Sequence, residues 1–370
     1  MSYLSLYQDV DTPALLVDID KVRKNISFMQ DKADIANVKL RPHTKTHKMP
    51  YIAKLQTAAG AAGITVAKLG EAEVMADAGF GDIFIANEIV GEAKLMRLAS
   101  LNRRIRVIVG VDCKEHVDAL AAVFRSEERP ITVRIEVEVG ENRTGVDTKE
   151  AALALARYIS GFASLRLEGI FCHEGHTYKA ASADEDKALT ESAMKKMVDF
   201  AEAIRAEGID LPVVSTGATP SMLIADIIPG ITEIRPGTYV FMDAAQCQAI
   251  GDYERCAATV LGTVISKPTA ERVVLDTGAK ALTAQKRIGG FFNTPGNGVI
   301  KGSDVRLDNV FDEHGIVLDR AFHDGVSIGD KVEIIPNHIC PCVNLYDYAY
   351  IVSSGKVLEK VPVSGRGKTQ

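Results

Sequence analysis

The feature that most constrains the fold is a series of short apolar segments separated by longer segments with helical periodicity. Between them lie helical candidates such as ALALARYISGF and DEDKALTESAMKKMVDFAEAIRAEG. Segments that are apolar throughout indicate parallel strands buried on both faces. Eight of them, each followed by a plausible helix or crossover, predict an α/β fold of the (β/α)8 TIM-barrel type, with a doubly wound open sheet as the alternative. The eight segments are VKLRP, GITVA, DIFIA, IRVIV, TVRIEVEV, RLEGIFC, LPVVS and TEIRP.

The character of the sequence changes after about residue 250. Segments such as ATVLGTVISK, ERVVLD, KVEIIP, YAYIVS and KVLEKV are separated by turns of Gly, Asn and Asp, with little helical periodicity. This pattern predicts a second, mostly antiparallel β domain. We therefore expect a cofactor-binding barrel over residues 12–248 and a β domain over residues 249–370, with residues 1–11 packing on the β domain.

The overall charge and the composition exclude several functional classes. A formal net charge of -6 and a pI of about 5.8 favour binding neither to nucleic acid nor to an anionic membrane. The first residues lack the pattern of a signal peptide, and no apolar stretch is long enough for a transmembrane helix. Six cysteines in 370 residues are too sparse for a disulfide framework, so we expect a cytoplasmic protein.

Unusual polar residues follow the predicted barrel strands, where barrel enzymes carry their chemistry. The presence of such residues after several strands is stronger evidence for an active site than any single motif. The residues are His43, Thr44 and Lys45 after VKLRP; Asn87 and Glu88 after DIFIA; Arg143 in GENRTGV; His173, Glu174, His176 and Tyr178 in HEGHTY; residues 215–221 in STGATPS; and Tyr239 and Asp243 in GTYVFMD.

The basic stretch KLRPHTKTHK contains two candidate reactive lysines, Lys45 and Lys48. A lysine just past a barrel strand loses proton affinity when it is partly desolvated and has cationic neighbours, which suits it to Schiff-base chemistry. The alternative is that both lysines are surface charges. The proximity of Arg41, His43 and His47 in the sequence favours the reactive interpretation.

The loop STGATPS is small, rich in hydroxyl groups and contains a glycine. Its N–H groups and hydroxyls are suited to holding a phosphate at the start of a helix, and phosphate sites are frequent after the seventh strand of a barrel. A reactive lysine together with a phosphate site indicates pyridoxal 5'-phosphate. Arg143 is then a candidate donor to the pyridine nitrogen of that cofactor, the alternative being an ion pair with Glu138 or Glu141.

The segment PNHICPCVNLYD in the β domain places His338 and Cys340 two residues apart. On an extended strand both side chains would face the same side. An imidazole and a thiolate suit a borderline-soft divalent metal such as Zn²⁺, with water or substrate completing the coordination. The alternative is a buried His and Cys that pack beside the next strand.

Taken together, these motifs resemble the fold-type III pyridoxal-phosphate enzymes, specifically the D-threonine aldolase and D-serine dehydratase family. The resemblance runs from residue 11 to about residue 347. It implies an alanine-racemase-type barrel followed by a β domain, in a homodimer whose active sites lie near the interface. The motifs that carry it, in the order of the family, are DTPALLVD, RPHTKTHK, GENRTGV, HEGHTY, STGATPS, RPGTYVFMD and PNHICPCVNLYD.

The resemblance also assigns roles to individual residues. Lys45, rather than Lys48, is the Schiff-base lysine, and His338 and Cys340 are the ligands of a divalent metal, with Zn²⁺ favoured over Mg²⁺ or Mn²⁺ by the sulfur ligand. The residues assigned to catalysis are Lys45, His43, His173 and His176. Those assigned to cofactor binding are Lys45, Arg143, Tyr178, Thr216, Gly217, Thr219 and Tyr239.

The resemblance leaves the reaction on a D-β-hydroxy amino acid open between two outcomes. The pattern His-x-Cys is similar to that of D-serine dehydratases, which favours loss of the hydroxyl group and release of a 2-oxo acid and ammonia. Aldolases typically show His-x-Asp; in that alternative a histidine such as His173 or His176 takes the hydroxyl proton and the Cα–Cβ bond breaks. An amino-acid racemase with Tyr346 or Tyr348 as second base and a non-catalytic pyridoxal-phosphate carrier are more remote, since neither explains the metal pair.

Overall fold

The computed structural model describes residues 3–370, which divide into two compact units. One unit, termed the barrel unit below, contains Phe28–Lys45, Ile52–Gly237 and Gly367–Gln370. The other, termed the β unit, contains the chain through Ser27 together with Thr46–Tyr51 and Thr238–Arg366. The chain therefore passes between the units five times, directly after Ser27, Lys45, Tyr51, Gly237 and Arg366.

The secondary structure alternates strand and helix in the first two thirds of the chain and is mostly strand thereafter. The strands are β1 Ala14–Asp18, β2 Lys39–Leu40, β3 Ile64–Val66, β4 Asp82–Glu88, β5 Arg106–Val111, β6 Ile131–Glu136, β7 Leu165–Phe171, β8 Val213–Thr216, β9 Glu233–Ile234, β10 Ala258–Ser266, β11 Arg272–Leu275, β12 Val299–Ile300, β13 Asn309–Val310, β14 Gly315–Leu318, β15 Lys331–Ile335, β16 Tyr348–Ser353 and β17 Lys356–Pro362.

The helices between them are short to medium in length, the longest being the predicted one after HEGHTY. They are α1 Ile19–Ile35, α2 Pro50–Ala58, α3 Leu69–Asp77, α4 Glu92–Arg104, α5 Lys114–Phe124, α6 Lys149–Ser160, α7 Ala183–Ala206, α8 Thr219–Ile224, α9 Ala244–Ile250, α10 Ala279–Leu282, α11 Arg320–Gly325 and α12 Ile339–Val343. The described residues include no helix that is both long and apolar enough to cross a membrane.

The eight predicted barrel strands are β2 to β9, and all neighbouring pairs among them are parallel. Their order is β2-β9-β8-β7-β6-β5-β4-β3. An isolated parallel bridge between His43 and Thr65, supported by the bond from Thr65 N–H to Pro42 O, joins the chain after β2 to β3. The prediction of a TIM-type α/β fold is confirmed.

Local signals explain where the helices of this unit begin. The Thr148 side chain accepts a hydrogen bond from Ala151 N–H at the start of α6, and the Ser182 side chain accepts one from Glu185 N–H at the start of α7. Such N-caps satisfy N–H groups that have no partner within the helix. The Glu185 carboxylate in turn accepts from the N–H of Ala181, the residue before the N-cap.

The β unit is built on a nine-stranded sheet whose main path runs β13-β14-β11-β10-β1-β16-β17, with β15 pairing to β10 and β12 pairing to β15. All of its pairs are antiparallel except β1 with β16, which confirms the predicted mostly antiparallel domain. β1, which lies inside the predicted barrel range 12–248, therefore belongs to this sheet. Its residues Leu15, Leu16 and Val17 are almost fully buried.

A closed ring of ion pairs lies among the barrel strands. Three arginines and three carboxylates alternate, so that every member contacts an opposite charge on either side. The contacts are Arg41–Asp82 at 2.6 Å, Arg106–Asp82 at 2.5 Å, Arg106–Glu168, Arg134–Glu168 at 2.9 Å, Arg134–Glu233 at 2.5 Å and Arg41–Glu233 at 2.7 Å. Arg134 and Glu233 are almost fully buried. Buried charges are tolerated only when they are paired and hydrogen-bonded in this way.

Replacing Arg134 with Met keeps much of the side-chain length and removes the charge. Glu168 and Glu233 then each lose one of their two arginine partners in a buried setting, so we expect a loss of about 3 kcal/mol or more in the free energy of unfolding. Urea denaturation followed by circular dichroism measures it. The matched control is Arg103→Met, which breaks an exposed pair with Glu127 and should cost less than about 1 kcal/mol. Equal losses in the two variants would show that the ring adds nothing to stability.

Candidate active site

Lys45 lies just beyond β2, in a turn that is held against β9 and β3. His43 N–H donates to Pro236 O at 3.0 Å, and Thr44 N–H donates to Thr65 O at 2.8 Å. The Lys45 side chain is half-buried. Its own N–H lies 3.4 Å from Nδ1 of His43. The turn that carries Lys45 is therefore hydrogen-bonded to the backbone of two neighbouring segments, at Pro236 and at Thr65.

Two histidines that the sequence singled out share the environment of Lys45 and are held neutral. Burial lowers the pKa of His43 well below its ordinary value, and the cationic Lys45 and Arg235 lower it further. Burial likewise lowers the pKa of His173, with Lys45, Arg143 and Arg235 acting in the same direction. An imidazole that is neutral at pH 7 has a lone pair available, so each ring can accept a proton.

The second candidate lysine has a different environment. Lys48 belongs to the β unit and is buried, with a positive φ of 55°. Its Nζ donates to Gly365 O at 3.4 Å, and a Cβ on Gly365 would lie 3.1 Å from Lys48 Cβ. This lysine is thus packed against the backbone near the end of the chain, as a structural residue would be.

Arg235 is a residue of this region that the sequence analysis missed. It follows β9 directly and is buried, with Nη1 donating to Ser215 Oγ at 2.5 Å and Nη2 to Cys172 O at 2.6 Å. Among residues 3–370, no hydrogen-bond partner is found for its Nε. Burial lowers the pKa of Arg235 even though Glu233 and Glu174 raise it. The sequence feature that could have identified it is its position at the end of the eighth predicted segment, TEIRP, where the motif RPGTYVFMD begins.

Thr216 and Gly217, at the start of the STGATPS loop, donate hydrogen bonds to Glu174, a residue of the motif HEGHTY. Both carboxylate oxygens of the buried Glu174 accept from Gly217 N–H, at 2.9 and 3.1 Å, and the Thr216 hydroxyl donates to the same carboxylate. Two of the groups assigned to a phosphate, Thr216 and Gly217, are therefore used within the protein in this structure. Their assignment to the cofactor stays a prediction.

The remainder of the same loop has features that suit an anion. Thr219 opens α8, and Ser221 lies in the first turn of that helix with its Oγ buried; the described chain supplies this hydroxyl with no partner. A buried hydroxyl without a partner is destabilising by about 1–3 kcal/mol, and a bound ligand can remove that cost. This observation, with the buried Arg235 and the Lys45 amine, fits a cofactor that carries a phosphate group and a carbonyl carbon.

Arg143 is exposed, and its guanidinium lies 3.5 Å from the Glu136 carboxylate. Its backbone N–H donates to Glu138 Oε2 at 3.2 Å, while its guanidinium pairs with Glu136 rather than with Glu138 or Glu141, the partners of the alternative interpretation. Its assignment to the pyridine nitrogen stays a prediction. Burial raises the pKa of Glu136 to about 8, and a hydrogen bond with Glu88 adds to the rise. Arg143 acts in the opposite direction and lowers the pKa of Glu136, as expected for its ion-pair partner.

His176 and Tyr178 lie on a 3₁₀ helix at Gly175–Lys179, which follows β7. The His176 ring packs against Gly140, where a Cβ would approach it to 2.9 Å, and burial lowers the pKa of this ring. Tyr178 is half-buried. Tyr239, by contrast, belongs to the β unit, where it is almost fully buried in a 3₁₀ helix at Thr238–Val240.

The candidate metal ligands lie at a helix start, so the expectation of an extended strand is wrong. His338 is the N-cap of α12 and Cys340 lies in its first turn, because Asp243 Oδ2 accepts from Ile339 N–H at 3.2 Å and helps the chain turn there. His338 Nδ1 lies 2.9 Å from Gln285 Oε1. Cys340 Sγ lies 3.2 Å from the Thr46 hydroxyl, and Thr46 is the residue after Lys45 in the chain.

The donor chemistry of His338 and Cys340 fits a borderline-soft metal, with two ligands from the protein. In residues 3–370, only one group of three or more potential ligands is closely spaced, and it is elsewhere: Asp112, Cys113 and His116 at the end of β5. There Asp112 accepts from Gly145 N–H at 3.1 Å and lies beside His116, so its oxygens have partners within the protein.

Comparison with known proteins gives the family. The model described as "Alanine racemase, N-terminal domain" matches residues 17–245, and the one described as "Putative serine dehydratase domain" matches residues 257–352. A D-threonine aldolase of Arthrobacter sp is 33% identical over 97% of this chain and 93% of its own length. A D-threo-3-hydroxyaspartate dehydratase of Delftia sp. (strain HT23) is 34% identical over 90% of this chain and 91% of its own length.

Solved structures agree. The crystal structure of D-threonine aldolase from Filomicrobium marinum superposes with a TM-score of 0.89 at 33% identity, covering 98% of this chain and 97% of that one. A D-threo-3-hydroxyaspartate dehydratase, in a cysteine-to-alanine variant in the metal-free form, gives a TM-score of 0.87 at 31% identity, covering 97% of this chain and 98% of that one. These matches span both units and confirm the resemblance inferred from the motifs. The chain therefore belongs to the alanine-racemase-like family of pyridoxal-phosphate enzymes, in the branch of lyases that contains D-threonine aldolase, the 3-hydroxy-D-aspartate lyases and D-serine dehydratase.

Proposed function

We propose that the protein is a pyridoxal-phosphate- and divalent-metal-dependent aldolase that cleaves a D-β-hydroxy amino acid to glycine and an aldehyde. The observation that carries the proposal is the position of Lys45 in a turn just beyond a barrel strand, with its N–H 3.4 Å from Nδ1 of His43. The preference for a dehydratase drawn from His-x-Cys is less well supported than its alternative. Two of the relatives described above are aldolases, and two further relatives are 3-hydroxy-D-aspartate aldolases.

The chain's own residues divide the work of such a cleavage. Pyridoxal phosphate, when bound, supplies an electron sink for the pair of electrons released at Cα. Lys45 would hold the cofactor through its side-chain amine. His173, neutral at physiological pH, accepts the proton of the β-hydroxyl group as the Cα–Cβ bond breaks. The cations Arg235 and Arg143 favour the binding of anionic groups nearby.

His338 and Cys340 would hold the divalent metal, and a sulfur ligand favours Zn²⁺ over Mg²⁺ or Mn²⁺. A metal there would act as a Lewis acid on the β-hydroxyl oxygen and lower the pKa of that hydroxyl. Both the aldol cleavage and a dehydration benefit from such polarisation. A metal at this position therefore favours a substrate with a β-hydroxyl group, but it does not distinguish aldol cleavage from dehydration.

One specific observation favours a second candidate, dehydration to a 2-oxo acid and ammonia. D-threo-3-hydroxyaspartate dehydratase has been solved as a histidine-to-alanine variant and, metal-free, as a cysteine-to-alanine variant, and the two substituted residues are two positions apart. His338 and Cys340 have the same spacing. In this alternative Lys45 would take the Cα proton, and His338 and Cys340 would hold a metal that polarises the departing hydroxyl group.

The lysine assignment is tested by reducing the protein with borohydride in the presence of pyridoxal phosphate and mapping the labelled peptide by mass spectrometry. We expect the label on Lys45, since its turn lies beside the neutral histidines, and no label in Lys45→Arg. The matched control is Lys48→Arg, which should retain the label and most of the activity. A label on Lys48 in the unmodified protein would contradict the assignment.

The reaction is tested by product analysis with D-threonine and D-3-hydroxyaspartate, with and without a chelator. We expect glycine plus an aldehyde, a rate that falls at least about 100-fold on chelation or in His338→Ala, and recovery when Zn²⁺ is returned to the chelated protein.

The matched control for the metal site is Cys342→Ser, in the same short helix as Cys340, which should keep its metal dependence. Ammonia plus a 2-oxo acid would instead establish the dehydratase. An undiminished rate after chelation would contradict the metal, whichever products form.

A further inference from the structure

Glu174 is a buried carboxylate that links the ends of two barrel strands. It follows β7 by three residues, and both of its oxygens accept from Gly217 N–H, which lies just beyond β8. The Thr216 hydroxyl donates to the same carboxylate. Its side chain has no exposed surface. No role is given to this residue by the proposed aldol cleavage.

The turn that Glu174 binds has little freedom on its other side. Gly217 has a φ of 122°, and a Cβ there would lie 2.8 Å from Arg235 N. Arg235 N–H in turn donates to Thr216 O at 2.8 Å. The turn is therefore held between the backbone of β9 and the Glu174 carboxylate. Thr219, which opens α8, is only two residues further along, so a shift of the turn shifts that residue too.

The charge on Glu174 is sensitive to its surroundings. Burial raises the pKa of Glu174 to about 7, opposed by the bond from Gly217 N–H and by Arg235, and supported by the charge of Asp186. The thiol of Cys172 also faces it, and burial keeps that thiol protonated by raising its pKa well above its ordinary value. The ionised carboxylate is a strong acceptor for both donors, whereas the protonated carboxyl must give up part of that capacity.

We propose that Glu174 is a positioning residue, which holds the Thr216–Gly217 turn in the shape that lets the following part of the loop bind the phosphate group of the cofactor. The inference rests on the proposed pyridoxal-phosphate site. It assigns the Thr216 and Gly217 donors to Glu174 and leaves the phosphate to groups that follow them, such as Thr219. The opposite case is that Glu174 occupies the phosphate position and must be displaced.

A comparison of two ligands that differ only in the phosphate distinguishes these cases. Full-length protein is freed of cofactor with hydroxylamine, and dissociation constants for pyridoxal 5'-phosphate and for pyridoxal are measured by absorbance titration at pH 8. The dissociation constant for pyridoxal divided by that for pyridoxal 5'-phosphate reports how much the phosphate group contributes to affinity. In Glu174→Gln we expect this ratio to fall about tenfold while the affinity for pyridoxal stays within about twofold, because one charged hydrogen-bond acceptor is lost from the turn.

The dependence on pH adds a readout that a purely structural role would not move. In the unmodified protein the advantage of the phosphate should shrink between pH 8 and pH 6, as Glu174 takes up a proton. The ionisation of each free ligand is the same whichever protein is present. The difference in pH dependence between the unmodified protein and Glu174→Gln therefore reports the titration of Glu174. The matched control is Asp186→Asn, another buried acid, which should leave the ratio at pH 8 unchanged.

Each outcome decides the inference. An unchanged ratio in Glu174→Gln overturns it, and a raised ratio overturns it in favour of displacement by the phosphate. If neither ligand binds the unmodified protein, the cofactor assignment fails and the inference fails with it. Should Glu174→Gln not fold, Glu174→Asp keeps the charge and shortens the reach of the carboxylate to the two donors. A fall of the ratio by severalfold with an unchanged affinity for pyridoxal then supports the inference, whereas no fall overturns it.

Discussion

The ring of alternating arginines and carboxylates is the interaction on which the rest of the barrel unit depends. Six buried or half-buried charges on or beside β2, β4, β5, β6, β7 and β9 neutralise one another in pairs. A barrel core is ordinarily filled by branched apolar side chains. Charges are tolerated here because each has two partners, and the partners lie on different strands, so the ring also restricts how the strands can slide past one another.

The ring continues into the active-site end of the barrel through hydrogen bonds. Ser215 Oγ donates to Glu233 at 2.6 Å and accepts from Arg235 Nη1 at 2.5 Å. Arg235 also donates to Cys172 O, directly before His173. The positions of the buried cation and of the neutral histidine are therefore set by the same network that holds the strands in register. A rigid scaffold of this kind is what a site needs when bond cleavage depends on orientation.

The sequence was sufficient where its signals were local and insufficient where they depended on distant partners. All eight barrel strands followed from apolar runs, and so did the position of Lys45 just beyond the first of them. The burial of Arg235 and Glu174 was not predicted, because an arginine or glutamate after a strand is ordinarily exposed to solvent and their hydrogen-bond partners lie on other strands. The strand expected at His338 was wrong because α12 begins there with the help of Asp243, a residue 96 positions earlier in the chain.

The charge balance of the barrel site argues for an anionic cofactor independently of the family match. Arg235 is buried, and its pKa is lowered although Glu233 and Glu174 both raise it, so the carboxylates around it do not offset the cost of burial. Glu136 and Glu174 have pKa values raised to about 8 and about 7, so near neutral pH they supply less negative charge than their number suggests. Lys45, Arg143 and Arg235 together then favour a ligand that carries negative charge. A phosphate group supplies it, and this holds for aldol cleavage and for dehydration alike.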